Sequence, residues 1–283
     1  RDASNMDAFP LLSKKAITTT NTSMRVLPTQ KPVFQDFHQA GEGFPFDYMQ
    51  NSLIPTGTPL YVCHISKDGK WVLAESRIAY GWLPVRDIAW CDDKFRQEFE
   101  TKSLGAVVSE KLPIISAGGQ YLASGYIGTV LPFGSLLGQV LVPVRNARGD
   151  AEINRVFMSK DQIRPMPMLL TPANMASLIN SMLGQKYGWG GMFENRDCSA
   201  TIMDIFTPFG IWLPRNSSQQ AKAGKTKDIS SLGPKETEKY IAGHALAFKT
   251  LIYKPGHIML YIGKDQANKD KLAVFHNMWG IKT

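Results

Sequence analysis

Cysteine is scarce in this chain: three occur in 283 residues, at 63, 91 and 198. So few can build no disulfide framework, and their spacing matches no zinc-ligand pattern, so no metal is expected. Long apolar runs are missing too. Nothing approaches the roughly 18 residues of a membrane span, and the opening RDASNMDAFPLL lacks the basic, apolar and small-residue regions of a secretory signal. Blocks of like charge are also absent. The formal net charge of +8 favours anionic partners, but the lysines and arginines are dispersed. That leaves no nucleic-acid footprint, only a mildly basic solvated surface.

What remains is ordinary globular material, 43% hydrophobic and 20% charged, and at this length several small domains are expected rather than one core. Residues 1–22 are polar and show little periodicity, so they read as a linker or remnant. Over 23–92 the texture is all-β. The short runs MRVLP, TPLYVCHIS, KWVLAES and YGWLPVRDIAW are broken by turn signals, with Asp68-Gly69 the strongest hairpin mark. Strands at this spacing predict a small barrel. Residues 93–166 start with a short connecting helix near Asp93 to Glu100 and continue as a second small β module. The prolines of IRPMPMLLTP then mark a boundary.

From 167 to 283 helical patterning takes over. Thr171 can cap, Pro172 suits the first helical position, and Met175, Leu178, Ile179 and Met182 share a face. A second amphipathic helix starts at Asp197 or Cys198 and turns Ile202, Ile205 and Phe206 to one side. Met192, Ile202 and Phe206 are assigned to the core. HIMLYIG and LAVFHNMWGIK read as an antiparallel strand pair joined by the polar turn KDQANKDK.

Cys63 and Cys91 could pair in an oxidising compartment, but two buried thiols are the preferred reading. Cys198 has two readings. As a lone cysteine it is a small buried hydrophobe. At a helix N-terminus it gains partial positive charge and free N–H donors, which suit a thiolate and an oxyanion. Of five histidines, His257 opens the first strand of the C-terminal pair and His276 closes the second. Packed beside that helix, one imidazole would serve as base to the thiol and the other would orient it.

The order YGWGG, RDCS, FGIWLPRNSSQQ, GHIMLYIG, FHN resembles the NlpC/P60 family of papain-like cysteine peptidases, over Thr171 to Thr283. The β modules resemble, more loosely, the paired bacterial SH3-type domains of one branch. The fold class implied is α+β multidomain: two small SH3-like β-barrels followed by a papain-like NlpC/P60 catalytic domain. The resemblance gives Cys198 as nucleophile, His257 as general base, His276 as the residue that holds the imidazole, and Tyr187 beside the oxyanion. It gives Asp197 the free amine of an N-terminal L-Ala, and Ser199 and Ser217 the D-glutamyl part. The first module would wall off the site, with Glu75 and Tyr80 as candidates for amine contacts.

The substrate so implied is the peptidoglycan stem peptide, cut between γ-D-glutamyl and meso-diaminopimelate or Lys, with no cofactor. A monomer is expected, exported to the periplasm or cell envelope with its signal or anchor removed, or else a cytoplasmic recycling enzyme. The family pattern continues past its third polar residue, so the C-terminal end of the catalytic domain is expected to be missing. Two other readings stay open: a non-catalytic wall-binding module, and a thiol amidase or acyltransferase on the same framework.

Overall fold

The structure is a computed structural model that describes residues 2–268 and 271–280. Residues 269 and 270 of the expected KDQANKDK turn, and the last two residues of the expected final run LAVFHNMWGIK, lie outside the described residues.

Seven strands form the first sheet: β1 (Lys14–Thr18), β2 (Thr22–Arg25), β3 (Gln50–Ile54), β4 (Pro59–Ile65), β5 (Trp71–Glu75), β6 (Tyr80–Pro84) and β7 (Ile88–Trp90). They pair antiparallel in the order β3-β2-β6-β5-β4-β1-β7 around Met24, Ile54, Val62, Val72, Leu83 and Ile88. The linker expected over 1–22 is corrected by β1, which lies between β4 and β7. Its alternation is hidden because both faces are buried. Ala16 packs into the barrel, while its neighbour Ile17 packs outward on a separate cluster, so no period-2 signal survives. Cys63 and Cys91 are separate, half-buried thiols.

Helix α1 (Asp93–Phe99) follows, capped by Asp92, whose side chain accepts from the Phe95 N–H at 2.7 Å. Phe95 and Phe99 stack with their rings 5.1 Å apart and pack on Ile17, Ala89 and Leu141, which joins the barrel to the next module. That module consists of β8 (Leu104–Val107), β9 (Leu112–Ile115), β10 (Tyr121–Gly125), β11 (Val130–Pro132), β12 (Gln139–Arg145), β13 (Ala151–Phe157) and β14 (Ile163–Pro165). Its strands make three small antiparallel sheets over Ile114, Leu131, Val140, Val142, Val156 and Ile163.

The C-terminal region carries helices α2 (Pro172–Met182), α3 (Cys198–Phe206), α4 (Ser217–Gln220) and α5 (Pro234–His244), then strands β15 (Leu251–Lys254), β16 (His257–Lys264) and β17 (Leu272–Phe275). Thr171 caps α2 through the Asn174 N–H, with Pro172 in its first turn, as the sequence predicts. The expected antiparallel pair is β16 with β17, and β15 adds a third strand. The apolar faces of α2 and α3 meet Ile258, Leu260 and Phe275 of this sheet. Ile202 and Phe206 belong to that core. Met192 does not: it is half-buried in an irregular turn, Trp189–Glu194, whose backbone leaves helical geometry. Among the described residues no helix is long and apolar enough to cross a membrane.

That turn is where the first sheet meets the C-terminal region. Edge strand β3 lies against Gly190 and Gly191, and the Gln50 amide donates to the Gly190 carbonyl at 3.0 Å. The approach is so close that a Cβ on Gly191 would overlap Leu53 Cβ and stand 2.7 Å from its backbone nitrogen. Gly191 also holds φ +86°, a conformation that suits glycine. Gly191→Ala is therefore expected to lower stability by more than the ~1–3 kcal/mol of backbone strain alone. Gly69→Ala isolates that strain, because Gly69 has φ +68° and nothing within 4 Å of its Cβ position. Thermal unfolding of the two variants side by side measures the difference, and equal losses would refute the tight docking.

Candidate active site

The site is built around the N-terminus of α3. Asp197 is its cap: one carboxylate oxygen accepts from the Ala200 N–H at 2.8 Å, the Ser199 hydroxyl at 3.2 Å and Arg215 at 3.1 Å. The other accepts from Arg215 at 2.6 Å and the Gly190 N–H at 3.2 Å. Burial pushes this carboxyl up, but Arg215 and the N–H donors outweigh it and hold the group below the usual carboxylate range. Arg215 also donates to the Ser199 hydroxyl at 3.0 Å and to Ser52 of β3 at 2.8 Å. One buried ion pair thus ties the helix start to the first sheet.

Cys198 is the first residue of α3 and is buried. The backbone N–H groups of Ile258 and Ser199 lie near its sulfur and favour its anion. Burial nevertheless pushes the thiol above its ordinary value, Asp197 pushes the same way, and the N–H groups and Arg215 only partly offset them. Burial thus works against the thiolate that the helix terminus favours. Desolvation outweighs the helix terminus here.

His257 precedes Ile258, at the first position of β16. His257 Nε2 lies 2.9 Å from His276 Nδ1, with the rings edge to face. Burial lowers the affinity of both rings for a second proton, and His276 and Lys254 lower that of His257 further. Both imidazoles rest neutral. With Nε2 committed to His276, the remaining nitrogen of His257 is the one free to exchange a proton. Tyr187 is drawn in by a parallel bridge to Arg196, next to Asp197 and Cys198. Burial, Asp197 and Cys198 raise its phenol far above the usual range, so it stays a hydrogen-bond donor.

Both preceding modules contribute walls. The first sheet sends out residues 26–49 between β2 and β3, a loop pinned at its base by the buried Arg25–Asp47 pair at 2.6 Å. Phe46 from this loop packs on Trp189 at 5.2 Å and Trp279 at 5.4 Å, with Tyr187 at 6.3 Å. The second module is held through buried Arg196, which pairs with Glu110 at 3.0 Å and Asp204 at 2.6 Å and donates to the Ile127 carbonyl at 2.7 Å. Its guanidinium lies 4.8 Å from the ring of Tyr126. The Asn277 amide donates to the Arg196 carbonyl at 2.9 Å, which fixes the His276 end of the sheet to the segment leading into Cys198.

Of the residues singled out from the sequence, His257 and His276 meet each other, Tyr187 lies near Asp197 and Cys198, and the Ile258 backbone next to His257 lies near the Cys198 sulfur. Asp197 and Ser199 sit among them, but both are buried in the Arg215 cluster. Five donors surround the carboxylate of Asp197, which caps α3 and pairs with Arg215, so an amine would have to share it with them. The Ser199 hydroxyl is likewise committed, whereas Ser217, at the start of α4, is half-exposed. Glu75 and Tyr80 stand apart. They face each other across β5 and β6, and the Tyr80 hydroxyl lies 3.9 Å from Cys63 rather than at the Cys198 thiol. Sequence reasoning missed the roles of Arg215, Arg196 and Asn277, while Phe46 lies in FPFDYMQNS, a stretch whose aromatic side chains were candidates for the wall. The two arginines lie inside the quoted motifs, and their buried pairing was the unread signal. Among the described residues no three His, Cys, Asp or Glu side chains converge as a metal site would.

Three family models match the chain. They are an SH3 domain of SH3b1 type over residues 32–84, an SH3 domain of SH3b2 type over 92–136, and the NlpC/P60 family over 184–273. A solved NlpC/P60 endopeptidase from Photobacterium damselae subsp. piscicida is 32% identical, with a TM-score of 0.88 over 99% of this chain. The chain spans 65% of that protein's length. An NlpC/P60 family protein from Bacillus cereus shares the fold, at 15% identity and a TM-score of 0.60, with 93% of this chain and 94% of that one covered. No curated relative matches the sequence.

Two outcomes are expected. Arg215→Ala leaves the Asp197 carboxylate buried without its cation and should cost about 3–5 kcal/mol, read from the urea midpoint at unchanged slope. The Asp197→Asn/Arg215→Met pair should cost less than the two single changes added together. Iodoacetamide alkylation of Cys198, followed by peptide mapping, should keep rising with pH beyond the roughly 8.5 of a free thiol. A plateau at or below neutral pH would mean a resting thiolate.

Proposed function

Residues 184–273 form an NlpC/P60-family domain behind two SH3-type domains, and from that premise we propose that the chain is a peptidoglycan hydrolase. In this reading it is a cysteine endopeptidase that cuts murein stem peptides between γ-D-glutamyl and the diamino acid. The observation that supports it is the His257–His276 pair at 2.9 Å on the strand whose next residue, Ile258, brings its backbone N–H near the Cys198 sulfur.

Thiol and imidazole both rest neutral, so the proton moves as the sulfur attacks. Cys198 Sγ bonds to the γ-carbonyl carbon while the free nitrogen of His257 takes the thiol proton. His276 accepts from the Nε2–H of His257 in the tautomer that leaves the other nitrogen basic, and it steadies the imidazolium that forms. Charge on the carbonyl oxygen is met by N–H groups at the start of α3 and by the protonated Tyr187 hydroxyl. The C–N bond then breaks, His257 hands its proton to the leaving amine, and a thioester remains. Water, deprotonated by His257, hydrolyses it and frees Cys198. Ser217 lies on the half-exposed rim, where it would meet the D-glutamyl part.

The loop of residues 26–49 supports a preference for short stems with a free N-terminal L-Ala. With Glu75 and Tyr80 elsewhere and Asp197 filled, that preference would be steric: Phe46 and its aromatic neighbours close the side where a glycan-linked stem would continue. Export to the envelope and action as a monomer belong to the same proposal.

The test is mass analysis of products from defined muropeptides, free and glycan-linked. The free stem should be cut faster, at the γ-D-glutamyl bond, and Cys198→Ala should release nothing. The acid limb of kcat/KM should fall below the ordinary imidazole value of about 6.5, because the neutral base is favoured down to a lower pH. Turnover that survives in Cys198→Ala would sink the mechanism.

A further inference from the structure

The proposed reaction requires the leaving amine to approach His257, since that ring supplies its proton. Whatever lies beside His257 on the same face therefore meets the leaving residue. In the hairpin of β15 and β16, Lys254 is the direct cross-strand partner of His257, across the two-residue turn Pro255-Gly256. Directly opposed residues of an antiparallel pair project from the same face, with Cβ atoms about 4.5–5.5 Å apart. Gly256 takes φ +83°, so the turn closes tightly and holds that pairing. Lys254 is exposed, and among the described residues its ammonium meets no carboxylate. It is a cation one residue-width from the base.

We propose that Lys254 is a specificity-determining residue, the cation that receives a carboxylate of the diamino acid leaving from the cut bond. The inference rests on the endopeptidase reading above. Diaminopimelate carries a carboxylate at the end of its side chain that lysine lacks, and each carries a main-chain carboxylate when it ends the stem. An ammonium beside His257 thus selects for charge on the leaving residue, and a side-chain carboxylate is the one that separates the two diamino acids. The same charge has a second effect. His257 is faced by His276, the residue after β17, and by Lys254 from β15, and the lysine disfavours the imidazolium.

Four peptides test this, all beginning L-Ala-γ-D-Glu: one ending in meso-diaminopimelate, one with its side-chain carboxylate amidated, one ending in L-Lys, and one in L-Lys amide. The unsubstituted protein should favour the first over the second by about tenfold in kcat/KM, through KM, in line with one charge-assisted contact. Preference between the third and fourth instead would assign the cation to the main-chain carboxylate. Lys254→Met should erase the preference by lowering kcat/KM on the first peptide about tenfold, and Lys254→Arg should keep it. On an amidated substrate Lys254→Met should also move the acid limb of kcat/KM upward. Lys254→Met that still discriminates overturns the inference. Equal cleavage of all four peptides by the unsubstituted protein overturns it while the endopeptidase reading stands. Cleavage of none defeats that reading and the inference together.

Discussion

The structure depends most on one buried carboxylate. Asp197 caps α3, takes both arms of Arg215 and accepts from the turn at Gly190. Arg215 in turn reaches Ser52 in the first sheet. A charged pair this deep is worth keeping only if nearly every lone pair and proton is matched, and here five donors surround two oxygens. Helix start, glycine turn and neighbouring barrel are therefore fixed together. Cys198 is the next residue along, so its position follows from theirs.

The same cluster sets the electrostatics of the thiol. A carboxylate one residue away, in a dry pocket, works against a resting anion on sulfur even though helix N–H groups point at it. The two imidazoles, also partly desolvated, stay neutral. Burial thus disfavours charge on the thiol and on both imidazoles alike.

The modules ahead of the C-terminal region are part of the site's construction. Arg196 binds the second module through a bidentate contact with Glu110 and the carbonyl of Ile127. The first module reaches across with Phe46 and docks its edge strand on Gly190 and Gly191. Both arginines flank the helix that carries Cys198, so domain assembly and site geometry rest on the same side chains. An edge strand covered in this way is also no longer free to pair with another chain.

Much of this was legible in the sequence. The α2 cap, the amphipathic α3 with Cys198 at its tip, and the antiparallel pair carrying His257 and His276 all follow from capping chemistry and periodicity, because these are local effects. The buried strand over Lys14–Thr18 was not legible, since a strand covered on both faces shows no alternation. Nor was the protonation state of Cys198, the filling of Asp197 or the placing of Glu75 and Tyr80 away from the thiol. Those depend on which groups from distant segments exclude water and which lone pairs they occupy. Residue types and spacing determined what chemistry was possible here, and only the packing of three modules decided which side chains remained free to do it.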